Sequence, residues 1–352
     1  MKNLSKAITA ASALVALAAL SACGSNGSSP EADDTAVAAE PASDESLVLY
    51  SGRDEELIAP LVEQFTDETG IEVEVRYAGT PEMNALLLEE GDATPADVFL
   101  SQDAGALGSL AKADLLAELP ENLASQVPAE LTSTDGSWVG LTGRARVIAF
   151  DGDKLSADEV PDTVDALVED EWKGRVGFPP GNASFQSFVT ALRVLEGEDA
   201  AATWLEALAG NDPVLTEKNG PTLEMVNNGQ LDLGLINHYY WYQLAAEQGA
   251  ENMRAELKFL PGDAGGIVNV TGAAVLAGSG EDENALAFVE FLLADSAQTY
   301  FAEETFEYPL VPGSPAPEGL PALDELTNPE LDLSDLDSLE ESQSMLADAG
   351  LL

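Results

Sequence analysis

Between residues 47 and 100 the chain alternates short apolar runs with segments of helical period, and this alternation restricts the fold more than any other feature. Residues 47–50 form a strand-length apolar run, after which Leu57, Ile58, Leu61, Val62 and Phe65 recur at helical spacing up to Gly70. Ile71, Val73 and Val75 then alternate with Glu72, Glu74 and Arg76, as in a strand with one buried face. Residues 81–90 carry Met83, Leu86 and Leu87 on one helical side, and residues 97–100 complete a βαβαβ unit. Such a unit requires a parallel sheet with right-handed crossovers, and ligands of these sheets bind beyond the carboxyl ends of the strands. The segments in that position are residues 51–54 and 101–103.

Residues 138–150 read as a strand that contains Arg144 and Arg146 and carries the chain into a second lobe. A turn at 177–180 leads into Asn182, Ala183, Ser184 and a helix through Phe188, Leu192 and Leu195. A buried strand at 231–236 ends at Asn237, residues 267–276 read as the returning strand, and a helix covers 284–293. Residues 320–352 are acidic but spaced with Leu323, Leu326, Leu331, Leu333, Leu336 and Leu339, so one face of this tail is expected to pack on the body.

Upstream of the first strand the composition changes. Lys2 and Lys6 precede an uncharged Ala/Leu-rich run over residues 7–20, too short to span a bilayer as a stable helix, so residues 1–22 are expected to be an export signal. The run ends in Leu20-Ser21-Ala22-Cys23, similar to the lipobox of bacterial lipoproteins, in which the cysteine is acylated. Cys23 is the one cysteine of the chain, and lipidation accounts for a single thiol on an exported protein. Residues 23–46 then form an acidic, Gly/Ser/Ala-rich tether to the outer face of the cell membrane. About 300 residues follow, enough for two lobes and a cleft between them.

The 64 acidic against 14 basic residues give a formal charge of −50, or about −52 once Lys2 and Lys6 leave with the signal. Nucleic acid and anionic membrane surfaces are repelled by such a field, so membrane contact is expected through the lipid alone. The excess points to a protein at work in concentrated salt and favours a cationic ligand.

Tyrosine is scarce, with seven in 352 residues, yet Tyr239, Tyr240 and Tyr242 lie together just after a sheet strand. Adjacent phenols suit a hard trivalent cation, which drives their deprotonation and prefers oxygen donors. A core plug or an aromatic stacking floor explains the same run, and spacing alone does not separate these readings.

Ordered segments along nearly the whole chain beyond the tether resemble the ferric-ion-binding proteins of bacterial iron(III) ABC importers. They are Leu49-Tyr50-Ser51-Gly52-Arg53, Thr69-Gly70-Ile71-Glu72-Val73, Pro95-Ala96-Asp97-Val98-Phe99, the Trp138 to Val147 strand, Asn182-Ala183-Ser184-Phe185, Asn237-His238-Tyr239-Tyr240-Trp241 and Glu307-Tyr308-Pro309-Leu310. The resemblance implies an α/β, two-lobed periplasmic-binding-protein-like fold with a hinge of crossing strands. Lobe 1 would comprise 47–145 and 268–320, and lobe 2 would comprise 146–267 and 321–352. It implies Fe3+ as cargo, Tyr239 and Tyr240 as ligands, and an ABC importer permease as partner of a monomeric binding protein.

Other positions match that family less closely. Asp54 stands where many relatives have histidine and Glu55 where some have a further tyrosine, while acids at these positions also suit a helix start. Gln102 replaces a glutamate ligand, and Asn182 replaces a tyrosine of another branch. The resemblance therefore implies a synergistic anion, carbonate or phosphate, near Arg144 and held by Asn182, Ser184, Asn219 and Asn237. Arg53 and Ser51 are second candidates, since a guanidinium fork meets two oxygens at once. His238 precedes the tyrosine pair and is expected to be structural, with Trp241 and Tyr242 packed beneath the site. One histidine and one acylated cysteine leave little for a hydrolase, and no nucleophile elbow or zinc motif occurs. An organic cation or an oxyanion is the alternative solute.

Overall fold

The computed structural model describes residues 46–352 except 281, 316, 327–330 and 332; the expected leader, Cys23 and the tether up to residue 45 lie outside them. The expected βαβαβ opening is present. β1 (Ser46–Ser51) leads to α1 (Glu55–Thr69), β2 (Glu72–Tyr77), α2 (Thr80–Glu90) and β3 (Val98–Ser101), and β1 lies between β2 and β3, parallel to both. Glu55 and Glu56 place negative charge in the first turn of α1, where the helix end is positive, and Gly70 stops the helix with φ 78, a left-handed value that glycine adopts without strain. β2 shows the alternation read from its sequence: Glu72, Glu74 and Arg76 face solvent.

α3 (Ala104–Lys112) and α4 (Glu121–Ala124) precede β4 (Val139–Asp151), a strand buried along its whole length. Next come β5 (Val176–Phe178), α5 (Ala183–Glu196), α6 (Glu198–Gly210), β6 (Val214–Leu215), α7 (Asn219–Asn227), β7 (Leu233–Asn237) and α8 (Tyr239–Gln248). The chain returns through β8 (Ala255–Phe259) and β9 (Val268–Val275) to α9 (Glu283–Leu293), α10 (Asp295–Glu303), β10 (Tyr308–Pro309) and α11 (Leu339–Asp348).

The strands form one continuous path in the order β2-β1-β3-β9-β4-β7-β5-β6. β4 joins its two halves. Up to Ala145 it pairs with β9, and with β10 at Thr142 and Gly143; from Arg146 on it pairs with β7 and β8. β4 thus changes partners at Ala145–Arg146, and Arg146 N–H donates to the carbonyl of Ile267, just before β9, at 3.0 Å.

Aromatic packing consolidates each side. Phe65 of α1 meets Phe288 and Phe291 of α9 edge-on at 5.0 and 5.4 Å, and truncation of such a buried ring to alanine costs about 3–5 kcal/mol. In the other lobe Phe178, Phe185, Phe188 and Trp204 form a continuous ladder.

The tail packs as its leucine spacing predicts, with Leu326, Leu333, Leu336, Leu339 and Leu346 buried. It contacts both α3 and α5. The 3-10 turn Leu333–Asp337 lies on α3, with the Leu336 carbonyl against Gly105. α11 lies on α5, where Thr190 and Ser342 hydroxyls meet at 2.7 Å and Arg193 donates to Ser342 Oγ at 2.8 Å and to the Ser338 carbonyl at 2.9 Å.

Candidate metal centre

The loops at the carboxyl ends of the strands meet in a cleft of about 350 Å³. Thr80 ties three of them together: its hydroxyl donates to the Gly52 carbonyl at 3.0 Å and accepts from Gln102 N–H at 3.0 Å. Gly52 has no room for a side chain, because a Cβ there would overlap the Thr80 hydroxyl. Arg53, Asp54 and Gln102 line the cleft from one lobe, and Asn182, Lys218 and Tyr239 from the other.

Tyr239 and Tyr240 are the first two residues of α8. Their rings stack at 4.3 Å with 28° between planes, both hydroxyl oxygens are shielded from solvent, and neither has a hydrogen-bond partner outside the pair. Burial, then the adjacent Tyr239 and the Asp54 carboxylate, push the Tyr240 phenol well above its ordinary value. The positive end of α8 acts in the opposite sense by favouring a phenolate.

His238 holds this helix start to the hinge. Its N–H donates to the Ala145 carbonyl at 3.0 Å, while Ala145 N–H donates to its Nδ1 at 3.1 Å. Nδ1 is therefore the acceptor and Nε2 carries the proton, which it donates to the Phe306 carbonyl at 2.9 Å. Burial pushes the imidazole down to about 4, so it is neutral.

Behind the tyrosines lies a cationic floor. Arg53, Arg144 and Arg146 are buried, and Glu307 bonds Arg53 at 2.7 Å while standing 3.8 Å from Arg144 Nε. The Arg53 guanidinium lies 5.6 Å from the centre of the Tyr239 ring. Burial works against its charge, but Glu307 and the phenols hold it above the ordinary arginine range. Burial and then Arg53 lower Arg144, and burial and then Arg144 push Arg146 down to about 9. Arg146 donates to Ser184 Oγ at 3.1 Å. Asn182 caps α5 by accepting from Ser184 N–H at 3.1 Å, and it also accepts from Asn219 at 3.2 Å. Arg144 Nη1, Arg146 Nη2, Asn219 Oδ1 and both side-chain polar atoms of Asn237 are buried without partners.

The donor set is oxygen-rich. Among the described residues no group of three His, Cys, Asp or Glu side chains is placed to hold a metal.

Residues 93–330 match the bacterial extracellular solute-binding protein family. The chain belongs to that family. Membership implies an exported binder of solutes that works with an ABC transporter, and it removes the hydrolase alternative. This solute-binding protein is 33% identical over 320 residues to the Fe(3+)-binding periplasmic protein of Serratia marcescens, covering 90% of this chain and 94% of that one. It superposes on iron-bound HitA from Pseudomonas aeruginosa with a TM-score of 0.83 at 34% identity, covering 87% and 99% of the two chains. A Trichodesmium protein in complex with iron and citrate ligands matches at 26% identity with a TM-score of 0.71, covering 87% of this chain and all of that one (100%).

The solute-binding fold brings most of the expected residues to one place. Asn182, Ser184 and Asn219 form a single cluster, and Arg53 and Arg144 form another around Glu307. Glu55 is exposed at the cleft mouth, and Asp54 is bonded to Lys218 at 2.6 Å. Ser51 is spent locally: its Oγ donates to the Arg53 carbonyl and accepts from Arg53 N–H, both at 3.2 Å. Trp241 and Tyr242 turn elsewhere, to the Ala255 and Gly319 carbonyls.

Sequence reasoning did not assign site roles to Glu307, Arg146 or Lys218. Glu307 lies 254 positions from Arg53, so no spacing links them. Arg146 was visible only as a charge in a buried strand, and Lys218 as one of the scarce basic residues.

Proposed function

We propose that this solute-binding protein captures ferric iron in the interlobe cleft, with Tyr239 and Tyr240 as its ligands, and delivers it to an ABC importer permease. The observation that carries this reading is the stacked pair of phenols whose shielded hydroxyls have no partner outside the pair. A trivalent cation takes phenol oxygens as phenolates, so binding releases protons and weakens as pH falls. Arg144 Nη1 and Asn237 Nδ2, donors with no partner in the protein, would hold a small synergistic oxyanion, carbonate or phosphate, with Asn182, Ser184 and Asn219 beside them. Arg53, tied to Glu307, adds positive field from the same side, and Ser51 braces its loop. Glu55 and Gln102 line the cleft as candidates for outer contacts. Closure brings the two lobes' groups onto one ion, so binding shifts the population toward the closed form. Acylation of Cys23 would hold the monomeric protein at the outer face of the cell membrane, beside its permease.

The test is a titration of ferric citrate into the metal-stripped protein in carbonate buffer, followed in the visible range. A phenolate-to-iron charge-transfer band saturating at one equivalent, and abolished in Tyr239→Phe and Tyr240→Phe without loss of the fold, is the expected result. Full affinity in both variants, or stabilisation by an organic cation with no band, refutes it.

A further inference from the structure

Asp54 occupies the N-cap position of α1, where an aspartate ordinarily turns its carboxylate onto the free N–H groups of its own helix. It makes no such bond. Its Oδ1 instead meets Lys218 Nζ of the opposite lobe at 2.6 Å. Lys218 is anchored for this contact. It immediately precedes α7, and its carbonyl accepts from the hydroxyls of Thr222 at 3.1 Å and Thr216 at 3.4 Å, while its side chain lines the cleft with Asp54. In a chain with 14 basic and 64 acidic residues, a lysine directed across the cleft is a specific placement. Both charged side chains are partly exposed, 59% for Lys218 and 34% for Asp54, so water and salt weaken the pair. Such a contact suits a cleft that must close and reopen, and it is too weak to contribute much to the fold.

We propose that Lys218 and Asp54 form the latch of the cleft: a positioning pair that prolongs the closed state and slows loss of the cargo, with Asp54 acting through Lys218 and not as a metal ligand. The effect on cargo rests on the ferric reading given above; the effect on the lobes does not. Two measurements on the full-length protein separate them. Spin labels, one on each lobe, report the interlobe distance in the metal-free protein, and stopped-flow transfer of iron to excess chelator reports release through the phenolate band. In dilute buffer Lys218→Met and Asp54→Asn are each expected to populate longer distances and to speed release about two- to fivefold, with the band still saturating at one equivalent. Molar salt removes the difference from wild type. The double variant is no worse than either single one, and the exchange of Lys218→Asp with Asp54→Lys restores the short distance. Unchanged distances in both single variants overturn the latch. So does slower release in Lys218→Met combined with a shifted band in Asp54→Asn, which is the signature of Asp54 on the metal. A wild-type protein that develops no band refutes the ferric reading alone, and the distances still decide the latch.

Discussion

His238, one position before the tyrosine pair, is a clasp. Its ring accepts from β4 and donates to Phe306, an arrangement that requires the neutral form. The sign of its pH effect follows. The folded group titrates at about 4, below its unfolded value of about 6.5, so between those values the unfolded chain binds the extra proton. Its contribution to stability is complete above pH 6.5 and is lost as pH falls toward 4. In urea unfolding of the metal-free protein, wild type is expected to lose about 2–3 kcal/mol more than His238→Asn between pH 7 and pH 4.5. Parallel pH profiles for the two would show that the histidine does not carry the effect.

At the scale of elements, the tail is held by backbone proximity that leaves no slack. A Cβ at Gly105 would stand 2.4 Å from the Leu336 carbonyl oxygen, closer than any tolerated contact. Alanine is the better helix former by about 1 kcal/mol, yet the collision has backbone on its far side, so Gly105→Ala is expected to destabilise by about 1–3 kcal/mol. Urea unfolding checks the sign, and faster amide exchange along α11 would locate the damage in the tail. The elements themselves were largely legible from the chain, because period 2 and period 3.6 are local properties: β2 shows one and α1 the other. The tyrosine pair was legible for the same reason, being adjacent in sequence and rare in composition. The partners beneath it were not. The Arg53–Glu307 pair and the Arg146–Ser184 contact join segments distant in sequence that only the tertiary fold brings together. The tail's contact with α3 was invisible too, since a leucine spacing says which face is apolar and not which surface receives it.

For the molecule as a whole, a charge of −50 acts against compaction in dilute buffer. Molar salt shortens the screening length to about 3 Å, which removes most repulsion between surface carboxylates. The urea midpoint is therefore expected to rise on going from dilute buffer to molar potassium chloride; equal midpoints would show that the acidic surface has no bearing on stability. The architecture carries a further consequence for the order of events. Both phenols stand on the opening residues of one helix, on one side of the cleft. An ion arriving from solution can thus be gripped by two donors while the jaws are still apart. Colour would then appear in the collision itself, at a rate set by concentration, and the shutting of the cleft would follow as a slower event that concentration leaves untouched.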